Sequence, residues 1–259
     1  MTTLLLWRHG RTTWNATGRV QGQTDIELDD AGHAQAGAAA LRLAARRPDA
    51  IVASDLRRCV ETAAPLAALT GLEPLYDARL RERDHGPWHG LLRSEIEAGW
   101  PEAYVRWRRG EPADVPGVES NEDLAKRVCA ALRDAADRTP GGTLVVVTHG
   151  AAARYGIGAL LGWPDAAART LAVLGNCHWA ELGFDGVRGW RLRAYNAGGS
   201  VGSSSARGGA SGVAGVGSGS SGVAGVGSGA EAFDGAGGAV GVTGPVGRAS
   251  RSAEPGGDR

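Results

Sequence analysis

The chain has 259 residues with 28 basic and 28 acidic side chains, so its formal net charge is zero. A neutral chain gives no sign of nucleic-acid binding by bulk charge, and any anionic partner is expected to be small and met locally. No stretch approaches the roughly eighteen apolar residues of a membrane span, so none is expected. Cys59, Cys129 and Cys177 are odd in number and far apart. They read as reduced thiols of a cytoplasmic protein, not as a disulfide set or a metal site. The opening MTTLLLWRHG has neither a basic n-region nor a long apolar h-region, so no signal peptide is expected.

TLLLW (3–7) reads as a short buried parallel strand that runs straight into Arg8, His9 and Gly10. A polar loop follows. AGHAQAGAAALRLAARR (31–47) is rich in strong helix formers and stops before Pro48. AIVAS (50–54) is a second strand. LRRCVETAAPLAALTG (56–71) reads as a helix with Gly71 as C-cap and with Pro65 expected to kink it or start a new turn. EPLYD (73–77) is strand-like and is followed by the loop RLRERDHGPWHG. Helical patches are expected from about Leu91 and around 102–109. SNEDLAKRVCAALRDAADR (120–138) is a strong helix, with Ser120 and Asp123 resembling a cap and its acidic N3 partner. GTLVVVTHG (142–150) is a second apolar run ending in His-Gly, and AAARYGIGALLG (151–162) continues as a helix. TLAVL (170–174), HWAELGF (178–184) and GWRLRAYN (189–196) read as strands, the last two joined by a DGVRG turn as an antiparallel pair near a sheet edge.

Strands alternating with helices imply a three-layer α/β/α domain over residues 1–197, with a mostly parallel central sheet and an antiparallel edge strand. Residues 198–259 differ in kind, with 21 of the 42 glycines and a tandem unit, SGVAGVGSGS then SGVAGVGSGA, matching at nine of ten positions. Each unit has too few large apolar groups to offset chain entropy, so this tail is expected to be disordered and passive.

In an open α/β sheet the ligand crevice lies beyond the carboxyl ends of the strands. Two strands deliver histidines there, His9 and His149. With Arg8, Arg58 and Glu82 they form a set with one chemistry. Two arginines neutralise a phosphoryl group and fix its oxygens. A neutral histidine attacks phosphorus and carries the group covalently. A carboxylic acid protonates the leaving alcohol and then deprotonates water. A second histidine donates to the oxygens as charge builds. No metal or cofactor is needed.

LWRHGRTTWN, SDLRRCVETA, LRERDHGPWHG and VVVTHG occur in that order, and together they resemble the motifs of the histidine phosphatase superfamily, the group that contains the cofactor-dependent phosphoglycerate mutases. The resemblance covers residues 3 to about 196 and implies the mutase-like fold. It implies His9 as nucleophile, Glu82 as proton donor, and His149 with Arg8 and Arg58 as the phosphate pocket. It places Arg57 at the surface. It also implies that Asn15 and the QGQTD loop, with Gln21 and Gly22, border the substrate. Trp14, Trp88, Trp100, Tyr104 and Trp107 are candidate walls, with Trp88 preferred. His33 and His178 read as structural, Cys59 and Cys177 as packed small residues. A zinc set of Glu82, His85 and His89 is the weaker alternative.

The mutases resembled here carry a long basic insertion after the third motif. In this chain residues 91–119 are short, and the only lysine is Lys126. Hydrolysis is therefore expected ahead of transfer. RVQGQTDIELDDAG, GVESNEDLAKR and WRLRAYNA further resemble the actinobacterial glucosyl-3-phosphoglycerate phosphatases, which implies a phosphorylated sugar or glycerate as substrate. A broad or α-ribazole phosphate phosphatase, a phosphoglycerate mutase and a non-catalytic phosphate-ligand binder stay open as alternatives, as does a homodimer.

Overall fold

The computed structural model describes residues 1–198, so the expectation for the tail from 199 onward lies outside the described residues. Six strands among them form one sheet: β1 (Thr2–Arg8), β2 (Ala50–Ala53), β3 (Leu75–Tyr76), β4 (Thr143–Thr148), β5 (Trp179–Asp185) and β6 (Gly189–Ala197). Their order is β3-β2-β4-β1-β5-β6. β1, β2, β3 and β4 run parallel, whereas β5 is antiparallel to both β1 and β6.

The two central strands are buried on both faces, which is why they read as unbroken apolar runs. Leu4, Leu5, Leu6 and Trp7 are completely buried, as are Leu144 to Val147. Alternation sends Leu4 and Leu6 into one core and Leu5 and Trp7 into the other. The first core is closed by α6 (Asn121–Asp137) and α7 (Gly150–Leu160), the second by α2 (Asp30–Ala44) and α3 (Arg57–Thr70). Each fully buried large side chain contributes about 1.5–3 kcal/mol. A third apolar cluster lies beyond the sheet. There α4 (Arg93–Gly99) and α5 (Pro101–Arg108) form a small cap around Trp88, Ile96 and Tyr104.

The helix signals hold. Gly71 takes the left-handed cap conformation at φ 72°, and the Ser120 hydroxyl accepts the Asp123 N–H. Pro65 leaves α3 one continuous helix. The strand expected at 170–174 is absent. That segment follows the short α8 (Asp165–Ala168) as irregular chain, and side chains claim its carbonyls: Arg8 donates to Leu174 O and Tyr195 to Ala172 O. The polar loop after β1 holds a further short helix, α1 (Thr13–Thr17).

Candidate active site

β1 and β4 lie side by side with Arg8 opposite Thr148, so the next residues, His9 and His149, emerge together at the carboxyl edge. Their ring centroids are 5.2 Å apart, and the His9 N–H donates to Thr148 O at 3.0 Å. Both rings are buried. His9 Nδ1 donates to Gly10 O at 2.7 Å, so Nε2 keeps the lone pair. Gly10 N–H is in turn held by Thr62 Oγ1 at 2.9 Å. Burial, then the charges of Arg58 and Arg8, push His9 well below the usual imidazole range, and it is neutral at pH 7.

Arg58 is the second residue of α3 and is fully buried. It donates to Gly22 O at 2.7 Å, to Thr24 O at 2.8 Å and, through Nε, to His149 Nδ1 at 3.1 Å. Three of its five N–H groups are thus spent on fixing it and two are left for a ligand. Arg57 faces outward and pairs with Glu27 and Glu61. Arg8 Nε is buried with no hydrogen-bond partner among the described residues. Because Arg8 also lines the cleft, this charged donor is available to an anion bound there.

Glu82 Oε1 accepts the N–H groups of Arg83 at 2.8 Å and Ala152 at 3.0 Å, and Oε2 accepts that of Ala151 at 3.1 Å. The carboxylate therefore sits on the first turn of α7, where the helix dipole favours negative charge. Burial raises its pKa, but these backbone N–H groups with the charges of His85 and Arg58 outweigh it, and the net shift is downward.

A cleft of about 200 Å³ is lined by Arg8, His9, Asn15, Gln21, Arg58 and Glu82, among others. Asn15 Oδ1 is tied to Thr12 and to Asn176 Nδ2, which leaves its own amide N–H groups for a ligand. Gln21 Oε1 is buried without a partner among the described residues. Gly22 borders the cleft at φ +49°, and a Cβ there would stand 2.1 Å from His89 Nε2, so only glycine fits.

Two expectations are corrected. Trp88 is no cleft wall. The 3-10 turn at Gly86–Trp88 drives it, fully buried, into the cap core against Trp100 and Trp107 at 6.4 and 5.7 Å; Trp14 and Trp107 line the cleft instead. His149 does not present a ring nitrogen to the cleft. Its Nδ1 accepts from Arg58, and Nε2 donates to Ser54 Oγ at 2.9 Å, so it stands behind Arg58 as its support. Burial and then Arg58 keep it neutral as well. The zinc alternative fits poorly, because His89 Nε2 takes the backbone N–H of His85 at 2.9 Å and both Glu82 oxygens are occupied. Cys59 and Cys177 are buried, and burial pushes each thiol up to about 12, so neither is a nucleophile.

The family model described as histidine phosphatase superfamily (branch 1) matches residues 4–198. The chain belongs to this superfamily. Glucosyl-3-phosphoglycerate phosphatase of Mycobacterium tuberculosis (strain H37Rv) is 38% identical over 216 residues, covering 77% of this chain and 96% of that protein. The structure of a mycobacterial glucosyl-3-phosphoglycerate phosphatase in complex with VO3 matches with a TM-score of 0.69 at 38% identity, covering 75% of this chain and 98% of the other. A phosphoserine phosphatase mutant from Entamoeba histolytica in complex with phosphoserine matches with a TM-score of 0.69 at 30% identity, covering 77% and 98%.

Some residues of this histidine phosphatase site escape sequence reasoning. Ser54 and Thr62 lie in the second motif's stretch, yet their hydroxyls act on His149 and Gly10 across the fold. Asn176 ties His9 O, at 3.0 Å, to Asn15. Arg127 donates to the carbonyls of Arg79, Arg81 and Glu82, so it braces the segment that carries Glu82. Only the fold brings these groups in, and no local spacing signals them.

Proposed function

We propose that this histidine phosphatase is a metal-independent phosphomonoesterase that works through a phosphohistidine at His9, on a small phosphorylated sugar or glycerate such as glucosyl-3-phosphoglycerate. The observation that carries the reading is the pinned, neutral His9. Its Nδ1 proton goes to Gly10 O, and its Nε2 lone pair belongs to a cleft that also holds Arg8, Arg58 and Glu82. The phosphoryl oxygens take the orphaned Nε–H of Arg8 and the two spare N–H groups of Arg58.

Nε2 attacks phosphorus, the N–P bond forms, and the bond from phosphorus to the alcohol oxygen breaks. Glu82 gives that oxygen a proton. The depressed pKa of Glu82 means that the proton arrives with the substrate, whose dianionic phosphate raises the affinity of the nearby carboxyl for it. Glu82, ionised again, takes a proton from water, the water oxygen attacks phosphorus, and the N–P bond breaks to release phosphate. Positive charge comes from arginine, so the chemistry calls for no Lewis acid.

Hydrolysis rather than transfer is supported by the short segment 91–119 and its lack of lysine. The substrate class is supported by the named activity of the mycobacterial relatives. A cytoplasmic location belongs to the same reading and is supported by three buried free thiols; no helix among the described residues is long and apolar enough to cross a membrane.

The test is phosphate release in EDTA from glucosyl-3-phosphoglycerate, 3-phosphoglycerate, α-ribazole phosphate and p-nitrophenyl phosphate, with label trapping at quench. The expected result is EDTA-resistant hydrolysis, acid-labile label on His9 and no turnover by His9→Ala. Label on another residue, or activity that returns only with added zinc or magnesium, overturns the mechanism.

A further inference from the structure

The cleft holds more positive charge than one phosphoryl group uses. Four arginines line it, Arg8, Arg19, Arg58 and Arg93, against the single carboxylate of Glu82. They fall into two pairs by depth. Arg58 is fully buried and Arg8 is partly buried with its Nε enclosed, both beside His9, whereas Arg19 is half-buried and Arg93 exposed.

The outer pair is built into the fold. Arg19 forms a backbone bridge with Leu92, the residue before Arg93. Val20 N–H donates to Leu91 O at 2.9 Å, and Gly90 N–H to Val20 O at 2.8 Å, which locks the two segments together. Arg19 Nη1 donates to Gly90 O at 2.6 Å and has Glu95 at 3.7 Å, so its guanidinium is fixed. Arg93 has no hydrogen bond or ion pair among the described residues, yet it faces the cleft. Asn15 and Trp14 lie in the same lining.

We propose that Arg19 and Arg93 form a second anion site at the mouth of the cleft, which selects phosphomonoesters carrying a carboxylate near the ester. This rests on the phosphomonoesterase reading and narrows its substrate class. A phosphate dianion against Arg8 and Arg58 leaves Arg93 uncompensated, while Arg19 has Glu95 at 3.7 Å, and a carboxylate on the leaving group is the charge that would compensate the outer pair in full. A planar guanidinium suits a planar carboxylate, and Arg93 is the free donor of the two. A neutral alcohol would leave Arg93 solvated and Arg19 on Gly90 O and Glu95, and would gain nothing from either.

The test uses two esters that differ in this one group, 3-phosphoglycerate and glycerol 3-phosphate. The native protein is expected to prefer the acid. Arg93→Met should cut that preference about tenfold or more, mainly through KM for the acid, since a hydrogen bond between two charged groups is lost. Arg93→Lys should keep most of the preference. Arg19→Met should act in the same direction. Equal losses on both esters in Arg93→Met, or a native protein with no preference for the acid, overturn the proposal. Calorimetric titration of both esters into His9→Ala, alone and combined with Arg93→Met, measures the same preference without turnover. An inert protein that still binds the acid better, and loses this in Arg93→Met, sinks the phosphatase reading and keeps the anion site.

Discussion

His9 and Glu82 reach the reaction by opposite routes. The imidazole is neutral because burial and two arginines oppose a charge on it; the carboxylate is charged because the start of α7 and the Arg83 N–H hold it. In the proposed mechanism Glu82 is therefore loaded by the substrate, and its worth as an acid depends on the leaving group. Glu82→Gln should slow a sugar or glycerate phosphate by about 10²–10⁴. On p-nitrophenyl phosphate, whose leaving group needs no proton, the loss should be far smaller. Equal losses on both would make Glu82 a structural support only. The same shifts set the pH dependence of stability. His9 and His149 are well below their ordinary value in the fold, and burial brings His85 down to about 4. Below the ordinary imidazole value of 6.5 the unfolded chain binds more protons than the fold does, so stability falls as pH drops from 7 to 5. Glu82 adds its own loss only below its ordinary value of 4.5, as pH falls through its depressed folded pKa. Scanning calorimetry should show Tm falling from pH 7 to 5, with a shallower fall in His85→Gln. Identical slopes in the two proteins would contradict the burial argument.

At the scale of elements, the sequence is most readable where one element buries its own signal. β1 and β4 are continuous apolar runs because helices cover both faces, and α6 carries its cap and its apolar stripe in a single stretch. TLAVL misleads because its composition is that of a strand, while Leu174 alone is buried, Val173 is exposed and the carbonyls serve side chains. Trp88 misleads for a related reason. Its place next to the third motif says nothing of which way the 3-10 turn faces. The positions of Arg8, His9, Arg58 and His149 are legible because each lies at the end or start of an element, although the place of His149 behind Arg58 is not. Glu82 sits in irregular chain between two 3-10 turns and is legible only through its motif, whereas Ser54, Asn176 and Arg127 act through contacts between elements. Arg127 is the clearest case. Its Nη groups take the carbonyls of Arg79, Arg81 and Glu82 at 2.7–2.9 Å, while Glu119 holds its other edge and accepts the Asp84 N–H at 3.1 Å. These contacts brace the segment that carries Glu82, and Arg127 is expected to position it. Arg127→Met should lower kcat on a poor leaving group by about tenfold or more, with KM little changed and p-nitrophenyl phosphate hydrolysis much less affected. A uniform loss on both substrates, matched by a large fall in Tm, would reduce it to a fold support.

At the scale of the whole chain, charge is balanced overall and concentrated locally, with four of the arginines gathered in one cleft at the end of the two central strands. Everything that builds this cleft lies within the family match, which ends at residue 198. β6 closes the sheet at Ala197, and Arg42 on α2 donates to Gly198 O, so the last contact of the described fold falls at that boundary. Residues 199–259 bring four arginines and four acidic residues but no histidine, cysteine or lysine, and their repeats are poor in groups that could extend a core. A chain ending at Gly198 is therefore expected to fold with an unchanged circular dichroism spectrum and to keep kcat/KM on its best substrate within about twofold, a difference of less than half a kcal/mol. A large drop in kcat/KM with the spectrum intact would give the tail a place at the cleft. Loss of the folded spectrum would move the domain boundary beyond β6, because the sheet edge would then need more chain to cover it.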